Sequence, residues 1–109
     1  MTMYLCSTTV IPSGAYGTWD VGPLSLEQAR LLVGAMNFTS AVGHSSTAEV
    51  MTSLLEVEVP FNRLNLQPVD GDSFLCFKLD RRPPEGAILD RQTLESIGYG
   101  FVIMVYHAK

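Results

Sequence analysis

The amino-acid sequence predicts an α/β fold, in which a single compact domain over residues 1–109 holds a mixed β-sheet of about five strands flanked by helices. Two kinds of segment alternate along the chain: short runs rich in β-branched and aromatic residues, and longer runs whose apolar residues recur every three or four positions. A chain of 109 residues with 47% hydrophobic composition has enough apolar surface for one core rather than two.

The first strand is predicted over residues 3–11, where β-branched and aromatic residues lead up to a proline. The segment 12–22 that follows contains three glycines and predicts an ordered loop. Because it also carries Tyr16 and the single tryptophan, Trp19, we hypothesise that this loop is a lid over a ligand pocket and that its aromatic rings stack on a base. The alternative is that both rings pack on their own domain.

Two helices are predicted from capping signals and apolar periodicity. Residues 25–36 should form the first, because Ser25 and Gln28 have the spacing of a capping box ahead of a helical apolar pattern. The second should start at Ser46, with Glu49 as its capping-box partner.

The remaining elements are four strands and a short helix. Strands are predicted at 38–42, 61–67, 73–79 and 99–106, and a helix at 90–96. Asp70 and Gly71 favour a tight hairpin turn, so the strand that follows them should return antiparallel to its predecessor.

Composition restricts the class of function. Seven basic and eleven acidic residues give a net charge of −4, which argues against a surface that binds long DNA or RNA through general phosphate attraction. No basic leader or apolar run of membrane-spanning length is present, so we expect a soluble cytoplasmic protein that does not enter a membrane. Cys6 and Cys76 stand in apolar segments without metal-like spacing, which predicts buried free thiols and neither metal nor cofactor.

Gly43 and His44 directly precede the second predicted helix. The first N–H groups of a helix have no internal partner and favour anions, and Ser46 and Thr47 add hydroxyls at this end. A histidine beside a bound phosphate can protonate a leaving oxygen. The alternative is a turn residue on the surface, and His107, close to the C-terminus, is expected to be solvated.

Two arginines are candidate partners for a phosphate near His44. Arg63 opens a predicted strand, while Arg82 and Glu85 flank two prolines that would fix their directions. An arginine can hold a phosphate through two hydrogen bonds, although solvated arginines are the common case.

Four motifs, in this order and at compatible spacings, resemble those of one known family. They are "YLCSTTVIPSGAYGTWDVGPLSLEQA", "AVGHSSTAEVM", "VPFNRLNL" and "RRPPEGAIL". Together they are similar to the viral ring nucleases that act as type III anti-CRISPR proteins, and to their prokaryotic relatives. The resemblance implies an α/β homodimer that cleaves cyclic tetra-adenylate without a metal into linear di-adenylates ending in a 2′,3′-cyclic phosphate, and so switches off type III CRISPR signalling.

The resemblance also implies roles for individual residues. The family's general acid falls on His44, and the glutamate of its last motif on Glu85, which gives the two catalytic candidates. The candidates for ligand binding are Ser7, Thr8, Gly43, Ser46, Thr47, Arg63 and Arg82. Many relatives have an asparagine near the ligand at the end of the first strand, where this chain has Ser7.

Two other functions are open, and the first of them needs the same residues. A non-catalytic protein could sequester the cyclic oligonucleotide, with His44 acting only as a phosphate contact. A structural or partner-binding protein would use the Gly-His-Ser-Ser-Thr stretch only to begin a helix, and would have no affinity for nucleotides.

Overall fold

The five strands of the fold form one mixed sheet, and its three helices lie in the connections between them. The computed structural model describes residues 2–9, 11–83, 85–86 and 88–109. The elements are β1 (Met3–Cys6), β2 (Gly17–Leu24), α1 (Leu26–Ala35), β3 (Thr39–Ser40), α2 (Ser45–Leu55), β4 (Ser73–Leu79), α3 (Arg91–Ile97) and β5 (Tyr99–Ala108). The strand order is β2-β5-β4-β1-β3. β1 is parallel to β3 and β4, whereas β5 is antiparallel to β2 and β4. The predicted α/β class with a five-stranded mixed sheet is confirmed.

The helices cover one face of the sheet. Successive side chains of a strand point to opposite faces, so β4 directs Leu75 and Phe77 to the helices and Phe74 and Cys76 to the other face. On the helix side α2 contributes most of the packing, through the buried residues Ala48, Val50, Met51, Leu54 and Leu55. Each fully buried aliphatic side chain stabilises the fold by about 1.5–3 kcal/mol relative to an exposed one. This face therefore holds the main core.

The helix predictions are confirmed, with one correction at α2. Ser25 Oγ accepts a hydrogen bond from Gln28 N at 3.0 Å, and Gln28 Oε1 accepts one from Ser25 N at 2.9 Å, which completes the predicted capping box of α1. The predicted start of α2 at a Ser46–Glu49 capping box is wrong. The helix begins one residue earlier with His44 as N-cap, because the extended His44 backbone already directs its carbonyl to the Ala48 N–H at 3.0 Å.

The predicted loop 12–22 is wrong over most of its length, because residues 17–24 form the edge strand β2. An edge strand tolerates Pro23, and the positive φ of Gly17 lets the backbone approach the carbonyl of His107 more closely than any side chain would permit. The Trp19 ring packs against Phe74 and Tyr106, with centroids 5.3 and 4.8 Å apart. The lid hypothesis is therefore wrong for Trp19, and the alternative of packing on its own domain is confirmed.

The predicted strand 61–67 is also wrong: these residues form an extended connection outside the sheet. The expected hairpin with 73–79 fails with it, and β4 instead lies parallel to β1. Buried Asp72 explains this pairing, because its carboxylate accepts the N–H groups of Thr2 and Val69 at 2.9 Å each. These bonds hold the start of β4 beside the start of β1.

Three smaller predictions need correction at their ends. The first strand stops at Cys6 rather than at residue 11, and residue 10 lies outside the described residues. The strand predicted at 38–42 is only two residues long. His107 is exposed, as expected, but it does not lie in a free tail: it is part of β5, with its Nε2 atom 2.8 Å from Asp20 Oδ2 of β2.

Candidate functional site

The three parallel strands β1, β3 and β4 end at the same edge of the sheet, which we call the carboxyl edge (residues 7–9, 41–47 and 80–83). In sheets with parallel strands, ligands bind preferentially at this edge. Every site residue predicted from the sequence except Arg63 and Glu85 lies on one of these three segments. The topology therefore gathers residues that are distant in sequence.

A cleft of about 400 Å³ opens at the carboxyl edge. Its lining includes four of the predicted site residues, namely Ser7, Thr8, Thr47 and Arg82. The other lining residues are Thr9, Phe77, Lys78, Leu79, Asp80, Arg81, Pro83 and Leu89. Hydroxyls thus line the side formed by β1 and α2, and charged side chains line the side that follows β4.

The charge of the cleft is opposite to that of the whole chain. Three basic residues, Lys78, Arg81 and Arg82, line it together with a single acidic one, Asp80. The chain as a whole carries a net charge of −4. A cleft with an excess of positive charge attracts small anionic ligands even when the rest of the surface repels long polyanions.

The two neighbouring arginines differ in their contacts. Arg81 donates from Nε to the carbonyl of Ile97 at 3.3 Å and from Nη2 to that of Ser96, so it satisfies carbonyls at the C-terminal end of α3. Arg82 is exposed at the mouth of the cleft. Arg81 therefore holds α3 to the carboxyl edge, and Arg82 is the arginine of this pair that is suited to a ligand.

His44 stands at the start of α2, where the helix presents unpaired N–H groups. Its side chain is exposed and, within the described part of the chain, makes no capping hydrogen bond to the helix. The first turn contains no acidic residue that would neutralise the positive end of the helix dipole. The imidazole is therefore free to meet a ligand beside an anion-attracting helix end.

Arg63 lies against the residue that precedes His44. Its Nη2 atom donates to the carbonyl of Gly43 at 3.4 Å, and a Cβ added to Gly43 would stand 3.7 Å from Arg63 Nε. The neighbouring Asn62 fixes this arrangement, because it donates from its backbone N to Val42 O at 2.9 Å and from Nδ2 to Ser40 O at 2.6 Å. Two short polar contacts thus hold the 61–67 connection at the carboxyl edge.

Five of the nine predicted site residues do not line the cleft, namely Gly43, His44, Ser46, Arg63 and Glu85. Ser46 lines a separate cavity of about 200 Å³ between α2 and α3, together with Leu94. Glu85 is exposed on the connection between β4 and α3. His44 and Arg63 border the same edge without being part of the lining of the 400 Å³ cleft.

Sequence reasoning missed Lys78, Asp80 and Asn62. Lys78 and Asp80 line the cleft, and Asn62 positions the Arg63 segment. Lys78 and Asp80 flank Leu79, the last residue of β4. Charged residues at this place are also common where a strand simply ends in solvent, so the pattern does not indicate a site. Asn62 could have been found only by knowing that the 61–67 connection lies beside β3.

Two further findings concern metal ions and membranes. The described residues contain no group of three or more His, Cys, Asp or Glu side chains that could hold a metal ion. Among the helices described, none has the length and apolar character to cross a membrane.

Comparison with known proteins gives a consistent family match. The model of the STIV B116-like family matches residues 3–101. Uncharacterized protein 26 of Sulfolobus islandicus filamentous virus (isolate Iceland/Hveragerdi) is 38% identical over 110 residues, covering 95% of this chain and 93% of the relative. Uncharacterized protein ORF117 of Acidianus two-tailed virus is 32% identical over 103 residues, covering 91% and 88%.

The fold also matches that of a solved structure. B116 of Sulfolobus turreted icosahedral virus superimposes with a TM-score of 0.78, and the alignment covers 98% of this chain and all of that one. Because the sequence identity is 19%, this likeness concerns the fold alone.

Proposed function

Because the chain belongs to the STIV B116-like family, the viral ring nuclease family that its motifs resemble, we propose that it is a metal-independent ring nuclease for cyclic tetra-adenylate. Its products would be linear di-adenylates ending in a 2′,3′-cyclic phosphate. Removal of this messenger in the host cytoplasm would switch off type III CRISPR signalling.

The observation that carries the proposal is the cleft at the carboxyl edge. It combines the hydroxyls of Ser7, Thr8 and Thr47 with a basic lining that contains Arg82, in a chain of net negative charge. A compact ring with four phosphates presents dense negative charge to such a cleft, whereas long RNA would meet the acidic remainder of the surface.

The proposed chemistry needs few groups. A ribose 2′-hydroxyl loses its proton to solvent and attacks the adjacent phosphorus in line, the bond to the 5′-oxygen breaks, and that oxygen must receive a proton. His44 is the proposed acid, because its imidazole is exposed and uncommitted to the helix cap. The N–H groups at the start of α2, together with Arg63 and Arg82, would stabilise the extra negative charge on the phosphorane.

The roles proposed for Ser46 and Glu85 depend on a second chain. Ser46 lines the cavity between α2 and α3, and Glu85 is exposed outside the cleft. In a two-fold homodimer, residues on the outside of one cleft can face the ligand bound across the axis. We therefore propose a homodimer in which two carboxyl edges share one cyclic tetra-adenylate.

The test is turnover under metal-free conditions. Purified protein is incubated in EDTA with a hundredfold excess of cyclic tri-, tetra- or hexa-adenylate, and the products are separated by chromatography. We expect the tetramer alone to be consumed, with di-adenylate cyclic phosphate as the product. An intact tetramer that also fails to bind would overturn the proposal.

The second candidate function is sequestration of the same ring. It is favoured by one observation: His44 borders the carboxyl edge but does not line the cleft that holds Thr47 and Arg82. In this case the ring would survive the incubation and co-elute with protein at a fixed stoichiometry, and His44 would be a phosphate contact rather than an acid.

A further inference from the structure

Cys6 and Cys76 face each other across two parallel strands. They are direct partners in the register of β1 and β4, and both side chains belong to the sheet face that the helices do not cover. Both are free thiols and buried, as the sequence predicted. Neighbouring strands lie about 4.8 Å apart, which falls within the range of Cα separations that a disulfide can bridge.

The two thiols differ in access. Cys6 is 8% exposed and lines a cavity of about 220 Å³, together with Ser7, Thr8 and Leu66. Cys76 is 1% exposed, and its Sγ atom lies 3.9 Å from both the carbonyl oxygen of Phe74 and the Sδ atom of Met104. A small reagent can therefore enter the cavity and meet Cys6 first.

The two thiols also differ in acidity. The Cys76 thiol, by hydrogen bonding to the Cys6 sulfur, lowers the pKa of Cys6 below its usual value. The same interaction, together with burial, raises the pKa of Cys76. The thiol at the cavity is therefore the more acidic of the two, and the thiolate is the form that attacks disulfides.

We propose that Cys6 and Cys76 are a reactive dithiol, which closes to an intramolecular disulfide by exchange with a low-molecular-weight disulfide that enters the cavity. The Cys6 thiolate attacks one sulfur of the reagent, a mixed disulfide forms, and the other half of the reagent leaves as a thiolate. Cys76 then loses its proton and attacks Cys6 Sγ, and the second half leaves. The protein dithiol is oxidised, and one disulfide reagent is reduced to two thiols.

The test uses the folded full-length protein with dithionitrobenzoate, an aryl disulfide whose released thiolate absorbs visible light. We expect two equivalents of thiolate per chain, a protein mass lower by two hydrogens, and no retained adduct. The second equivalent should appear more slowly than the first, because Cys76 has to lose its proton.

Two matched variants separate the steps. Cys76→Ser should release one equivalent and keep the aryl adduct on Cys6, whereas Cys6→Ser should slow the first release by at least about tenfold, since the remaining thiol is enclosed. Circular dichroism confirms that each variant is folded, with Cys6→Ala and Cys76→Ala as replacements where serine disturbs the core. A stable adduct on wild-type Cys6, or thiols that react only after denaturation, would overturn the proposal. These readouts do not involve nucleotides, so they are independent of the proposed ring nuclease activity.

Discussion

The parallel and antiparallel halves of the sheet differ in the side chains that they present. In the parallel half, β1, β3 and β4 end at one edge in hydroxyl, histidine and arginine side chains that border a basic cleft. In the antiparallel half, β2 and β5 place an aromatic cluster of Trp19 and Tyr106 against Phe74 of β4. Parallel strands collect their ends on one side, whereas antiparallel strands send alternate ends to opposite sides. The difference places the proposed ligand site in the first half, and in the second an aromatic cluster that stabilises the sheet face without helices.

The largest expected effect comes from the two histidines, because His44 lies beside the parallel strands and His107 lies in the antiparallel half. We expect His44→Ala to lower the cleavage rate of cyclic tetra-adenylate by about 10²–10⁴-fold while binding persists, since a positioned general acid contributes that much. His107→Ala, the matched control on β5, should leave the rate unchanged. Single-turnover cleavage and equilibrium binding measure the two quantities. Equal losses of rate and affinity at His44 would make it a binding residue.

Trp19 tests the structural half. Trp19→Ala should destabilise the fold by about 2 kcal/mol, because a half-buried ring in contact with two aromatic neighbours is removed. Urea unfolding measures this loss, and Tyr16→Ala, whose ring is 74% exposed, is the control that should change little. Affinity for cyclic tetra-adenylate should stay the same in both variants. If Trp19→Ala instead weakened binding without loss of stability, the strand that carries Trp19 would be part of the ligand site.

The regions that sequence patterns predicted well are those where local signals decide the structure. The capping box at Ser25 and Gln28 marks α1 correctly, because its hydrogen bonds join residues three apart. Residues 61–67, which were predicted as a strand, form a connection. Residues 17–22, which were predicted as part of a loop, lie in strand β2. The structure of each segment depends on distant partners: Asn62 bonds to Ser40 in β3 and to Val42 after it, and Gly17 fits against β5. No local pattern encodes those contacts.

The candidate site shows the same division. The motif resemblance named Ser7, Thr8, Thr47 and Arg82, which line the cleft, although Ser7 stands where many relatives have an asparagine. It also named Ser46, which faces α3 instead, since the side chain of a helical residue points according to the register of its helix, and α2 begins one residue earlier than expected. Lys78 enters the cleft only because β4 lies beside β1.

Arg82 gives a smaller effect within the parallel half. Arg82→Ala should weaken binding of cyclic tetra-adenylate by about tenfold to a hundredfold, which is the range for one charge-assisted hydrogen bond. Arg30→Ala is the matched control, because Arg30 donates to the carbonyl of Leu54 at the C-terminal end of α2, the end away from the carboxyl edge. Isothermal calorimetry at two salt concentrations measures both variants. Similar losses in the two arginine variants would mean that long-range charge, and not the cleft, holds the ligand.

The smallest expected effect is at Asp90. This residue ends the connection from β4 to α3, which also carries Arg82. The Asp90 carboxylate caps α3 by accepting the Thr93 N–H at 2.8 Å, and hydrogen bonding to Thr93 lowers the pKa of this carboxyl. A carboxyl whose pKa is lower in the folded state stabilises the fold at a pH above its unfolded value of about 3.9, and this contribution is lost as the pH falls through the folded value.

Asp90→Asn keeps a capping side chain but removes the titration, so its free energy of unfolding should depend less steeply on pH below about 4. Glu95→Gln, on the exposed side of α3, is the control for removing one acidic group. A pH dependence identical to wild type in Asp90→Asn would show that the cap of α3 does not contribute to the acid sensitivity of the fold.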